Sequence, residues 1–192
     1  PAFLAFDSNG LWVGKFETGY DGATSTTEAQ VNSNDSSKII IKPNVYSWRY
    51  NTVGNMFSAS YNYIRSDESH MMKNTEWGAV AYLQHSAYGS AISVRINNNS
   101  AYITGYAGIE EPTLGYANGT NIEGNRVEST LLGVDGTYTV NYLNTLSSVA
   151  STTGNKSGIY DMSGGAWEYV MGYTTGASTV GGSSGITSIY SD

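Results

Sequence analysis

The sequence predicts a mixed α+β fold, on two observations. Apolar residues recur at helical spacing in two stretches, near 48–64 and 74–87. Elsewhere the chain offers short strand-type runs set among long stretches of Gly, Ser, Thr and Asn. The chain has 192 residues, enough for one domain with a sizeable core, and neither a linker nor an internal repeat divides it.

Taken in order, "LWVGKFETG" (11–19) has strand composition, with Trp12, Val13 and Phe16 as apolar anchors. "ATSTTEAQVNSNDSS" (23–37) reads as a polar loop. "KIIIKPNVYSW" (38–48) reads as a short buried strand stopped by Pro43. In the first helical stretch Val53, Met56, Phe57, Ser60 and Ile64 share a face. In the second, Asn74 or Thr75 is placed to cap, Glu76 lies in the first turn where the helix dipole favours an acid, and Gly89 ends the run. Trp77, Val80, Ala81 and Leu83 form its apolar face. Residues 90–157 read as strand-like pieces among loops whose order the pattern does not settle. All four tryptophans, Trp12, Trp48, Trp77 and Trp167, are expected to be largely buried.

Composition excludes several functions. Net charge is −7 and no Lys/Arg cluster is present, which argues against binding nucleic acid through its phosphates. No run of eighteen apolar residues exists to cross a membrane. Cysteine is absent, so disulfides, thiolate metal sites and cysteine nucleophiles are absent too. Sixteen tyrosines with 23 glycines suit an adaptable binding surface. His70 and His85 lack any zinc-site spacing and read as a surface residue and a helix-end residue. The adjacent pair Glu110 and Glu111 points opposite ways in an extended segment and reads as a solvated loop before Pro112. The opening "PAFLAFDSNG" reads as a processed or trimmed start.

The stretch "GIYDMSGGAWEYV" (158–170) resembles the "G-L-Y-D-M-x-G-N-V-W-E-W" signature of the formylglycine-generating-enzyme (sulfatase-modifying-factor) family, a variant of the C-type-lectin-like fold. "WVGKFETG" resembles that family's early strand, "VYSW" its step into the first helix, and "MMKNTEWGAVAYL" the start of its second helix. The four segments fall in the family's order. The same wording is similar to surface, pilin-like or phage-associated proteins of gut Firmicutes. The resemblance implies two helices packed on an antiparallel sheet. It also implies a structural calcium ion held by the side chains of Asp161 and Glu168 and the carbonyls of Gly164 and Ala166, a set of hard oxygens that suits calcium. Gly165 stands where the family usually has Asn, so one hydrogen bond is lost. The plainer alternative is that Asp161 caps a turn and Glu168 faces solvent.

The family's catalytic members hold copper on a cysteine pair, which this chain lacks, so the expectation is a non-catalytic protein. The leading reading is an extracellular ligand-binding or adhesion domain at a cell surface or on a virion, with a protein or glycan as partner. The alternative is a self-associating structural subunit of a filament, pilus or virion decoration. The sugar-binding motifs of true C-type lectins are missing. Tyr102, Tyr106 and Tyr116 are candidates for ligand stacking, against the reading that they are half-buried strand tyrosines. Family members continue past this signature with further strands. The expectation is therefore a chain cut within the glycine- and serine-rich stretch 174–185 or ending short of those strands, and a separate C-terminal fragment that stays bound if it is cut.

Overall fold

The structure, a computed structural model, describes residues 10–89, 96–97, 99–109, 138–141 and 150–171. Among these described residues are two α-helices and two small antiparallel strand pairs, in the α+β class. Strand β1 (Gly19–Tyr20) pairs with β2 (Ile39–Ile40), Gly19 opposite Ile40. Strand β3 (Tyr106–Ile109) pairs with β4 (Tyr138–Asn141), Tyr106 opposite Asn141. Helix α1 spans Val53–Tyr63 and α2 spans Asn74–Ala81, continued by a 3₁₀ turn over Tyr82–His85.

Helix α1 begins five residues later than its apolar periodicity predicts. Trp48 N donates to Thr18 O and Arg49 N to Ala29 O, which holds 48–49 in strand-like pairing. Tyr50 then takes φ +58°, a left-handed conformation that interrupts any helix. Thr52 starts the helix instead, its side chain accepting from Asn55 N at 3.3 Å. Helix α2 begins where expected, but its N-cap is Lys73 rather than Asn74 or Thr75. A lysine side chain cannot accept a hydrogen bond, so Glu76 serves alone by reaching back to Lys73 N at 2.7 Å. The last turn tightens to 3₁₀, and Gly89 lies against it: a Cβ there would come 2.2 Å from Gln84 O.

The expectation that 11–19 forms a strand is corrected: among the described residues the first strand begins at Gly19. Without pairing, the inward and outward alternation of a strand is not imposed. Phe16 turns inward and stacks on Tyr160 with ring centroids 5.0 Å apart, while Trp12 lies fully in solvent at 101% exposure. The expectation that all four tryptophans are buried is corrected with it. Trp48 and Trp77 are half-buried, but Trp167 is 86% exposed. The polar loop 23–37 is anchored by Ala29, which is fully buried.

The core joining these pieces is small. Val80 and Ala81 of α2 pack on Met162, with Val13, Met72, Trp77 and Ile159 around them. The signature loop is tied to α2 by main-chain bonds: Asn74 N donates to Met171 O at 3.1 Å and Met171 N to Met72 O at 2.8 Å. These contacts bring two distant parts of the sequence together and place residues 158–171 over one face of α2.

Candidate functional site

Residue Asp161 anchors the signature loop from inside. It is buried at 6% exposure and takes φ +60°, a left-handed conformation that Asp and Asn tolerate better than most residues. Both carboxylate oxygens are engaged. Gly105 N donates to each at 2.8 Å, Asn97 Nδ2 donates to Oδ1 at 2.9 Å, and Glu17 N approaches Oδ2 at 3.4 Å. One side chain thus fastens three separate segments of the chain. Burial nonetheless dominates its ionisation and pushes the carboxyl up to about 6, against the pull of these donors.

Gly164 and Gly165 follow with φ +77° and +64°. Two left-handed residues in succession suit glycine best. Close approach makes the same demand at Gly164, where a Cβ would come 2.5 Å from Asn97 O. Asn97 N donates to Ser163 O at 2.8 Å and Gly165 N to Asn97 O at 2.9 Å, which locks the turn onto the 96–97 segment. The amide missing at Gly165 has a neighbour from elsewhere: a Cβ on Gly165 would come 3.5 Å from Asn97 Nδ2. The double glycine turn sends Ala166 inward and carries Trp167 outward.

A third acid, overlooked in the sequence, joins the pair. The Glu17 carboxyl accepts from Ser47 Oγ at 2.7 Å and from Ala166 N. Burial raises its pKa to about 8, and the nearby Asp161 and Glu168 carboxylates push it in the same direction. Glu168 is exposed as a whole residue, but its carboxyl is withdrawn enough from water to rise to about 7, with Asp161 adding to the effect. Its Oε2 accepts from Trp77 Nε1 at 2.6 Å. Among the described residues the salt bridge found is His70 to Glu76, at 3.1 Å and away from these three acids. The signal for Glu17 was its place in "GKFETG", read only as part of a strand.

The calcium set that the resemblance implies fits this arrangement in part. Three mutually repelling carboxyls favour a cation, and Gly164 and Ala166 lie between two of them in sequence. Against that, the acceptor positions of Asp161 are filled by N–H donors. Among the described residues no three His, Asp or Glu side chains are grouped to hold a metal ion.

On the outer side of the loop lies an open, shallow groove of about 610 Å³, lined by Trp77 and the run from Met162 to Tyr169. Trp167 and Tyr169 stand exposed along it. The tyrosines named from sequence lie elsewhere. Tyr102 is half-buried with the Arg49 guanidinium 3.8 Å from its ring centre. Tyr106 is half-buried in β3, its hydroxyl donating to Asn44 Oδ1 at 3.4 Å. Tyr116, Glu110 and Glu111 lie outside the described residues, as do 172–192. His70 bridges Glu68 O at 2.9 Å and the Glu76 carboxylate, and His85 is exposed at the end of the 3₁₀ turn. Among the described residues no helix is long and apolar enough to cross a membrane. Compared with family models, curated proteins and solved structures, the chain finds no match.

Proposed function

We propose that this chain is a non-catalytic, extracellular ligand-binding or adhesion domain, acting at a bacterial surface or on a phage particle. Its scaffold is a C-type-lectin-like fold similar to that of formylglycine-generating enzymes. The groove beside the signature loop carries this reading. It combines exposed Trp167 and Tyr169 with a rigid floor, the double glycine turn locked onto Asn97. Large aromatic groups held on a rigid base give contact area at low entropic cost, which is what a recognition surface needs. Calcium belongs to the proposal as a stabiliser of the loop, held by Asp161, Glu168 and the carbonyls of Gly164 and Ala166. The repulsion among Glu17, Asp161 and Glu168 supports it.

The test is direct. The full chain, fluorescently labelled, is applied to intact Gram-positive cells and to immobilised glycans and surface proteins prepared from them. Saturable binding that Trp167→Ala abolishes supports the reading. Absence of binding, or binding that Trp167→Ala leaves unchanged, overturns it. Growth of long assemblies on sizing, with no foreign partner present, also overturns it and favours a structural subunit.

A further inference from the structure

We infer that the groove between Trp77 and Tyr169 is a saccharide subsite, taking a neutral hexose ring on the face of Trp167 with its hydroxyls on the Glu168 carboxyl. This rests on the reading of the chain as a ligand-binding domain and names the class of ligand.

Four observations favour a sugar over a protein surface. The first is size. At about 610 Å³ the groove has room for one or two pyranose rings. A stable protein interface instead takes roughly 800 Å² and 20–30 residues from each partner, and the groove is made by α2's Trp77 and eight consecutive residues. The second is the kind of apolar surface. Its projecting walls are aromatic, and Leu, Ile and Val are absent from its lining. A pyranose presents a flat face of C–H groups to such rings and keeps its hydroxyls at the edge. Trp167 is 86% exposed, so its ring is open to that contact.

The third is the polar group. The Glu168 Oε2 is held at 2.6 Å by Trp77 Nε1, which fixes the carboxyl at the groove wall. No hydrogen bond to Oε1 is found among the described residues. A fixed carboxyl oxygen accepts sugar hydroxyls, and does so most strongly in its ionised form. The fourth is charge. The lining carries no Lys or Arg, and Glu17 and Asp161 lie close behind Glu168. With no cationic side chain in the lining, the carboxylate of a sialic or uronic acid finds no partner in the groove, which leaves neutral sugars. Trp77 acts here as a positioning residue, through the carboxyl it holds.

The experiment follows tryptophan fluorescence of the full chain during titration with mannose, galactose, N-acetylglucosamine and their β- and α-linked disaccharides, with glucuronic acid and sialyllactose as charged controls. Calorimetry repeats each titration. Binding of at least one neutral sugar with a Kd in the millimolar range or tighter is expected, with no response to the acids. Trp167→Phe should keep binding within roughly threefold, whereas Trp167→Ala should weaken it roughly tenfold or more. Glu168→Gln should weaken it without lowering the melting temperature in calcium-free buffer. Trp77→Phe should weaken it by loss of the Nε1–H while the ring stays in the core. A chain that binds none of the neutral sugars overturns the inference. If that chain still binds cells whose glycans were destroyed by periodate, the ligand-binding reading stands and only the sugar is wrong. If it binds neither treated nor untreated cells, both fall. Preference for the acidic sugars overturns the charge argument and the inference with it.

Discussion

Removing the Asp161 carboxylate should unfasten the signature loop from the rest of the molecule. Asp161→Ala leaves Gly105 N without its acceptor and takes one of two partners from Asn97 Nδ2, which also donates to Ile103 O at 2.9 Å. Each buried donor left unsatisfied costs about 1–3 kcal/mol. Alanine in a left-handed conformation adds about 1 kcal/mol. An opposing effect must be subtracted. The carboxyl rises to about 6 in the fold, so at neutral pH its ionised form already sits there at a cost, of order 2–3 kcal/mol. The net loss expected is about 2–3 kcal/mol, which for a domain of this size lowers the melting temperature by roughly 5–10 °C. Asp161→Gly removes the same acceptor without the left-handed strain and should lose about 1 kcal/mol less. Asp161→Asn keeps one carbonyl acceptor and the tolerance of positive φ, and should fall between wild type and alanine. The assay is thermal denaturation followed by circular dichroism, with amide exchange at Gly105 as a local report. A melting temperature for Asp161→Ala within about 2 °C of wild type, with Gly105 still protected, would refute the account of Asp161 as the fastening.

Three further outcomes follow from the same geometry. The folded-state pKa values of Glu17, Asp161 and Glu168 lie above their unfolded values, at about 8, 6 and 7, so the folded chain binds more protons than the unfolded one across this range. Stability in calcium-free buffer should therefore fall as pH rises from about 4.5 to 8, and Glu17→Gln should flatten the upper part of that slope; a melting temperature that rises with pH over this window is the contrary result. Calcium at a hundred times its Kd should add about 2.7 kcal/mol of stability, or roughly 5–10 °C, removed by chelator and by Glu168→Gln; identical melts of metal-free protein with and without calcium would show that the acids stand without an ion. Gly164→Ala should cost at least about 2 kcal/mol, since a Cβ would meet Asn97 O at 2.5 Å and φ +77° is strained for any side chain, and urea denaturation reads it directly.

Much of the local order was legible in the sequence. The helical spacing around Met56 and Phe57 and around Val80 and Ala81 marked both helices, and Glu76 in the first turn marked the start of the second. The glycine pair and the acids of "YDMSGGAWEY" marked the turn that shapes the groove. What escaped has a common cause. Apolar character points to burial, yet Trp12 and Trp167 lie in solvent because burial needs a partner surface, and sequence does not say where partners fall. The strand expected at 11–19 fails for the same reason: a strand is defined by its neighbour, and the pairing starts only at Gly19.

The sequence by itself determined the two helical stretches, the acid in the first turn of the second and the glycine turn, because each of these depends on residues within a few positions of one another. The absence of cysteine and of a basic cluster is likewise a matter of composition alone. Only the tertiary structure decided that Glu17, 144 residues before Asp161, belongs to the same cluster, that Asn97 and Gly105 supply the donors for it, and that Trp77 holds Glu168 from 91 residues away. Such contacts are chosen by which packed surfaces close over one another, a condition on the whole chain that no short stretch of it carries.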